Sequence, residues 1–442
     1  MKYNLKDIPP FWETLLYGLQ WSVMIVSVNL FFPILLAKNF GFDAITTEGF
    51  IQRTLLLLGV ATILQLLFGH RITVFEAIAA FWFSIYILIG QSVLARGGTM
   101  ESVLGQITFV TLLSGLIILL LAWTKSVDHM QRLFTPSILG ITLILITVQI
   151  SKNVVLGMLG IHDGRINPAL SLFSFSLFLL SLTFSLRGGK LRSYVALLGL
   201  IFGSLVYRFL GFPITPLQVN TVISLPTLGA FGPPIMNLEL IPYALFVVMI
   251  YYANSIASIN GAASVLGVEM GEHEIRRYGA VGGLIHLLAA FLATIPLVPA
   301  AMAGGFIKAT GVGSRRALLV GGIFLVIMGI IAPIGAFFAS VPNTVAYAVG
   351  LSIFVRMAAM GFKSCFNNGM TEKSLMVAGV SLTVGCGFMF IPAGAFAEVP
   401  FLGSTLENGI FVGVLLALVM EHWIYPNNAD MLIKEPVVSG EE

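Results

Sequence analysis

Near-continuous apolar runs alternate along the chain with short stretches of charge, glycine and proline. In the first half the runs fall near 14–37, 53–69, 72–95, 103–123, 134–157, 167–186 and 193–211. In the second they fall near 240–266, 279–296, 298–311, 316–340, 342–361, 374–393 and 406–425. A bilayer core of about 30 Å needs roughly 20 apolar residues per helix. The pattern therefore predicts an all-α polytopic membrane protein with about 14 transmembrane segments. Its boundaries are soft at 53–95 and 279–311, where short segments abut.

Composition agrees with that pattern. Hydrophobic residues make up 57% of the 442, charged residues only 10%, and mean hydropathy is +0.98. A soluble surface needs about 25% charge. A net charge of +3 without a basic stripe excludes a nucleic-acid binder. Cys365 and Cys386 lack metal-site spacing. Asp7, Pro9, Pro10 and Glu13 precede the first run and no A-x-A site follows it, so no cleavable signal is expected. With fourteen crossings and both termini cytoplasmic, only Lys38, Arg53, Arg96, Lys152, Arg165 and Arg208 of the 23 basic residues fall outside. Lys125, Arg132 and Lys434 are among those inside. The positive-inside rule favours this orientation.

Glu76 is the acidic residue that sits within an apolar run, Thr73 to Phe83. A carboxylate there costs roughly 2.5–3.5 kcal/mol on insertion scales unless protonated, paired or facing water. Two halves of seven spans must run in opposite directions, so the expectation is an inverted repeat whose third span is broken in each half. Span three opens with the extended-looking stretch Gly69–Glu76, with a helix start expected at Glu76–Ala77. Span ten carries Pro296, Pro299, Gly304 and Gly305. Breaks of this kind free backbone N–H groups at half-helix starts. Such groups survive in a bilayer only where protein or a wet cavity satisfies them.

In span eight, Asn254, Ser258 and Gly261 share one helical face. Span one carries Gln20, Ser27 and, deeper, Asn29. His286 reads as an interhelical hydrogen-bonding residue, and His70 with Arg71 as a mark of the cytoplasmic interface. No P-loop, H-E-x-x-H or G-x-S-x-G is present. Catalytic residues, metal sites and cofactors are therefore not expected.

From about Leu16 to Pro426 the chain resembles the nucleobase–ascorbate transporters, also called nucleobase–cation symporters. Gly18-Leu-Gln-Trp21 followed by Pro33 is similar to that family's G-L-Q-H and downstream proline, with Trp in place of His. Gln131 to Gly140 resembles its P-P-x-x-x-G segment. Thr310-Gly-Val-Gly-Ser-Arg315 matches the end of its span-ten signature, T-G-V-x-S-R, and is the most specific likeness. The resemblance implies a core domain at 14–123 (spans 1–4) and 240–340 (spans 8–11), and a gate domain at 124–211 and 341–425. It also implies cytoplasmic ends at 1–13 and 426–442, a connecting loop at 212–239, short strands or half-helices in spans three and ten, and a homodimer.

Two polar anchors of the family differ here. The usual span-eight glutamate falls at Asn254, and a histidine one turn later at Ser258. The acidic or Gln residue of span ten falls at Met302 and its Asn at Ala303, while Gly305 is kept. The substrate-stacking position falls at Ala80 or Phe81. This pattern resembles a divergent bacterial purine/pyrimidine permease branch. The expectation is then a non-enzymatic, alternating-access permease of the bacterial inner membrane for a nucleobase or similar planar heterocycle. The expected substrate site is Asn29, Glu76, Ala80, Phe81, Asn254, Ser258, Met302, Gly304 and Gly305. Glu76 is also the candidate carrier of a coupling proton, with sodium as the other coupling ion considered. A passive facilitator and an anion transporter on a related 14-span fold are the alternatives.

Overall fold

The computed structural model describes residues 1–124, 133–161, 165–187, 189–213, 221–367, 369–392, 395–396, 399 and 403–425. Lys125, Gln131, Arg132, Lys434, the segment 426–442 and part of the 212–239 connection lie outside the described residues. The chain is mostly helical, and eight helical stretches among the described residues are long and apolar enough to cross a membrane. The helices are α1 (Phe11–Asn29), α2 (Phe31–Asn39), α3 (Ala44–Leu67), α4 (Ala80–Ala95), α5 (Met100–Ala122), α6 (Pro136–Met158), α7 (Pro168–Arg187) and α8 (Val195–Phe209). They continue as α9 (Ile241–Leu266), α10 (Glu272–Phe291), α11 (Ala303–Thr310), α12 (Arg315–Ile330), α13 (Ala332–Ala339), α14 (Asn343–Cys365), α15 (Glu372–Phe388), α16 (Gly403–Leu406) and α17 (Gly409–Val419). Two three-residue strands interrupt them, β1 (Glu76–Ile78) before α4 and β2 (Leu297–Pro299) before α11.

Apolar side chains gain nothing by leaving lipid for one another, so close helix packing depends on small residues that let backbones approach. That device recurs here. Gly18 of α1 lies against Val320 and Gly321 of α12, and Gly59 of α3 against the backbone of Gly322 and Val326. Gly115 of α5 meets Gly283 of α10, and Gly140 of α6 meets Gly361 of α14. The principal packings are thus α1 and α3 on α12, α5 on α10, and α6 on α14. By contrast, α7 and α8 keep most of their apolar surface exposed, including Leu172, Leu179, Phe202 and Phe209.

Two sequence expectations shift. The helix of the second apolar run, α3, begins at Ala44 rather than near residue 53, because Asp43 caps it by accepting from the Thr46 N–H at 2.8 Å. Arg53 is consequently not at an outer edge. It lies ten residues along α3, 4% exposed, with its guanidinium 6.0 Å from the Phe50 ring centroid. The helix expected to start at Glu76–Ala77 starts instead at Ala80, since residues 76–78 are paired as strand.

A single added methyl tests the packing account. Gly59→Ala places a Cβ 2.6 Å from the Gly322 carbonyl oxygen and is expected to destabilise the protein by about 1–3 kcal/mol. Gly379→Ala meets nothing within 4 Å and should leave the melting temperature of the detergent-solubilised protein essentially unchanged.

Candidate functional site

β1 and β2 form an antiparallel ribbon with Glu76 opposite Pro299, Ala77 opposite Val298 and Ile78 opposite Leu297. Ala79 donates to the Pro296 carbonyl at 3.2 Å and Ala300 to the Phe75 carbonyl at 3.0 Å. Antiparallel hydrogen bonds come on alternate residues, so the N–H groups of Glu76 and Ile78 point away from β2. Each finds a side-chain acceptor. Thr62 Oγ1 of α3 takes the Glu76 N–H at 3.2 Å, and Asn29 Oδ1 of α1 takes the Ile78 N–H at 2.6 Å. Pro299 stands at an outward-facing position of β2, where the missing N–H leaves nothing unsatisfied.

Helices leave the ribbon at opposite ends, α4 after β1 and α11 after β2. Neither has a side-chain cap at its N-terminus. Phe83 is the first α4 residue to donate back, to Ala79, and Phe306 the first of α11 to do so, to Met302. The preceding N–H groups of each helix start therefore remain outside its own ladder, except that Ala303 reaches the Ala300 carbonyl. Exposure marks one open side around these starts. Ala301, Met302 and Gly305 are exposed, while Ala77, Ala80 and Asn254 are half-buried. A Cβ on Gly305, or on Gly261 of α9, would meet nothing within 4 Å.

The expected site residues divide between that side and the protein interior. Ala80, Met302 and Gly305 lie on it, and Asn254 of α9 is half-buried. Gly304 instead packs against Gly261, Ala262 and Val265 of α9, and Phe81 is buried. Ser258 donates to the Asn254 carbonyl at 2.8 Å. Asn29 is fully buried, its Nδ2 on the Ile25 carbonyl and its Oδ1 on the strand. Its amide is a prop for β1, which the depth of Asn29 in an apolar helix did not disclose. Glu76 is 1% exposed and lies on the ribbon face opposite to that of Ala77.

Behind the ribbon is a polar cluster that sequence reasoning missed. His70 is 1% exposed, not interfacial, and its Nε2 lies 3.7 Å from Glu76 Oε1. The His70 ring stacks with Tyr278 at 6.2 Å between centroids, and Tyr278 with Tyr251 at 5.6 Å. Tyr278 donates to Ser255 at 2.7 Å. His286 accepts from the Trp82 indole at 3.2 Å, and its Nδ1 meets the Gly282 carbonyl at 2.9 Å. Its Nε2 is engaged between helices, as its isolation in an apolar run implied, while its Nδ1 stays on its own helix, α10. The one available clue to the cluster was the spacing of His70 and Glu76 within a single non-helical stretch.

The 310–315 signature has a structural part. Gly311 turns the chain at φ +72, Gly313 and Lys2 tie the N-terminal segment to the turn, and Arg315 Nη1 donates to the Arg71 carbonyl at 3.2 Å. A separate cavity of about 220 Å³ lies at the far end of α4 between Ser92, Arg96, Gln106, Asn237 and Tyr243. There Arg96 pairs with Glu239 at 3.0 Å and Glu407 at 3.4 Å.

Residues 12–394 match the model of a family described as "Permease family", of the xanthine/uracil type. The chain belongs to this family, the nucleobase–ascorbate transporters. The permease is 29% identical to "Putative purine permease YwdJ" of Bacillus subtilis (strain 168), over 93% of this chain and 96% of that one. It is 22% identical to "Xanthine permease XanQ" of Escherichia coli (strain K12), covering 95% and 92%. With "Uric acid permease PucK" of Bacillus subtilis (strain 168) it shares 23% identity over 95% and 98%. Its fold is similar to the transmembrane domain of a cyanobacterial bicarbonate transporter, BicA, with TM-score 0.59, 14% identity and coverage of 94% and 99%. Murine Slc26a9, an anion transporter in the inward-facing state, gives TM-score 0.63 at 14% identity, covering 95% and 69%. The permease is an integral membrane protein, and its family relatives are transporters rather than enzymes.

Replacing Asn29 separates a prop from a ligand. Asn29→Ala strands the Ile78 N–H inside the protein, at a cost of about 1–3 kcal/mol. The melting temperature of the purified protein is expected to fall without any substrate present. An unchanged melting temperature would contradict the strand-propping role.

Proposed function

We propose that this permease carries a purine-type nucleobase, of the xanthine or uric acid kind, by alternating access, with transport coupled to a proton held at Glu76. The observation that carries the reading is the pair of uncapped helix starts, α4 and α11, at the two ends of a ribbon whose open side is lined by small residues. Helix N-termini present unpaired N–H donors and partial positive charge. A flat ring bearing carbonyl oxygens is complementary to that surface. Ala77, Ala80 and Gly305 leave room for a ring, and Asn254 offers an amide that can pair bidentately with a nucleobase edge. The names of the relatives support the same class of solute.

The wider reading is a core of 14–123 with 240–340 rocking against a gate of 124–211 with 341–425. The main helix packings respect that division: α1, α3, α5, α10 and α12 pair among themselves, as do α6 and α14. Two seven-span inverted repeats would account for the strand–helix units β1–α4 and β2–α11. Both non-glycine residues of positive φ among the described residues, Arg71 and Ala293, lie in the lead-ins to the two strands. On this reading the protein sits in the bacterial inner membrane with both termini cytoplasmic. The exposed apolar faces of α7 and α8 meet lipid or a second copy of the chain. An anion transporter is less well supported, because the open side carries Asn254 and small residues rather than cations.

Uptake of labelled xanthine, uric acid, adenine and uracil into proteoliposomes tests the proposal. Gly305→Leu has room to fold but fills the open side, and is expected to abolish uptake of the accepted base while leaving the melting temperature near that of the parent. Unchanged uptake would remove the ribbon's open side from the transport path. Accumulation against a gradient that collapses with a proton uncoupler is the expected signature of coupling; simple equilibration would identify a passive facilitator.

A further inference from the structure

We infer that His70 is a fixed hydrogen-bond donor to Glu76, and that the two form a proton site, unable to take sodium, on the face of the ribbon turned away from the substrate. This rests on the transport reading above and adds to it the part played by His70 and the exclusion of sodium.

The tautomer follows from one hydrogen bond. The backbone N–H of Ile72 donates to His70 Nδ1 at 3.2 Å. A backbone N–H can only donate, so Nδ1 presents its lone pair and the proton of the neutral ring lies on Nε2. That N–H faces Glu76 Oε1 across 3.7 Å, and neither atom has a hydrogen-bond partner. Two buried polar atoms left unpaired and facing one another are costly in any interior. They are explained if the contact is one state of a pair that tightens and loosens.

Proton accounting then assigns the roles. A second proton on His70 would have to enter at Nδ1 and break the Ile72 contact. Glu76 instead takes one proton from solvent to become a neutral carboxyl, and returns it to regenerate the anion, while His70 stays neutral throughout. A sodium ion needs several oxygen ligands, as hard cations do, and the His70 nitrogen offers an N–H rather than a lone pair. Among the described residues, the surroundings supply no other charge. Tyr251 and Tyr278 wall the site, with Tyr252 and His286 one ring further away. From α1, α3 and β2 come Asn29, Thr62, Gln65 and Pro299, none of them titratable. Arg71 points back along its own lead-in, its Nε on the Leu67 carbonyl, and Arg315 binds the Arg71 carbonyl.

The consequence for transport is mechanical. With Glu76 ionised, the His70 contact becomes a charge-assisted hydrogen bond, for which about 2.7–2.9 Å is usual. Closing from 3.7 Å draws β1 toward the 70–75 lead-in. Ala77, which points to the opposite face of the same three-residue strand, must move with it. The proton and the solute then communicate through the strand without touching.

Infrared difference spectroscopy of the purified full-length protein across a pH titration reads this site without any substrate. The expected result is a protonated-carboxyl C=O band that titrates in the parent and is missing in Glu76→Gln. In His70→Phe the midpoint of that band should move to higher pH by about one unit, because the anion loses its donor. His70→Gln, which keeps an N–H of similar reach, should restore most of the shift. Sodium added at constant pH should leave the band unchanged. A band that survives in Glu76→Gln, a parent midpoint retained in His70→Phe, or displacement of the proton by sodium would each overturn the inference. Should His70→Phe fail to fold, the Glu76→Gln spectrum and the sodium arm still decide. If the band behaves as expected but no nucleobase is taken up, it is the transport reading that fails.

Discussion

In lipid, an unpaired peptide group has no water to fall back on, and this constraint shapes everything around the ribbon. Breaking a membrane-embedded segment releases N–H and C=O groups that must each find a partner or a ligand. The ribbon meets the demand in three ways. β1 and β2 satisfy their inward-facing groups on each other. Thr62 and Asn29 accept the outward N–H groups of β1. Pro299 removes a donor from β2, and Pro296 another from the residue just before it. What is left over is the pair of uncapped helix starts, and on the proposed reading those are left for the solute.

The ribbon also separates two chemical environments by the simplest property of a strand, the alternation of its side chains. Ala77 is half-buried on one face, whereas Glu76 and Ile78 are buried on the other. A carboxylate placed one residue later would lie on the open side with Ala77. Placed where it is, it meets His70 and two tyrosine rings. Asn254 of α9, where the resemblance places the family's span-eight glutamate, is half-buried. On the proposed reading, a neutral amide facing the solute and a carboxyl behind the strand divide between two places what a single glutamate would do in one.

Much of this could be read in the sequence because bilayer physics acts on composition. The apolar runs located the helices, and prolines and glycines located the break before α11. An acid in an apolar run drew attention to Glu76, which is buried in the structure beside His70. What could not be read was direction. Asn29 looked like a binding residue because an amide in an apolar helix needs partners, yet its partner proved to be the backbone of β1. His70 beside Arg71 looked interfacial, but Arg71 adopts a positive φ of 57 and reverses the chain, sending His70 inward. Arg53 looked like a helix edge because hydropathy averages cannot see an N-cap at Asp43 ten residues earlier. In each case one specific hydrogen bond or backbone conformation overrode a signal read from hydropathy.

The left-handed residues Arg71 and Ala293 bear on how such a ribbon could shift. A non-glycine residue at positive φ stores roughly 1–3 kcal/mol and persists only where its surroundings enforce it. Here one lies ahead of each strand. The first is clamped at its carbonyl by Arg315, the first residue of α12, just past the turn that follows α11. The lead-in to β1 is therefore fastened to the unit built on β2, and the two strands are joined outside the ribbon as well as within it. A displacement of β1 driven from the Glu76 side cannot be confined to β1: it must either carry β2 and α11 along or strain the Arg315 contact. On the proposed reading, the same fastening favours joint movement of the two helix starts, as a solute held at both ends of the ribbon would require.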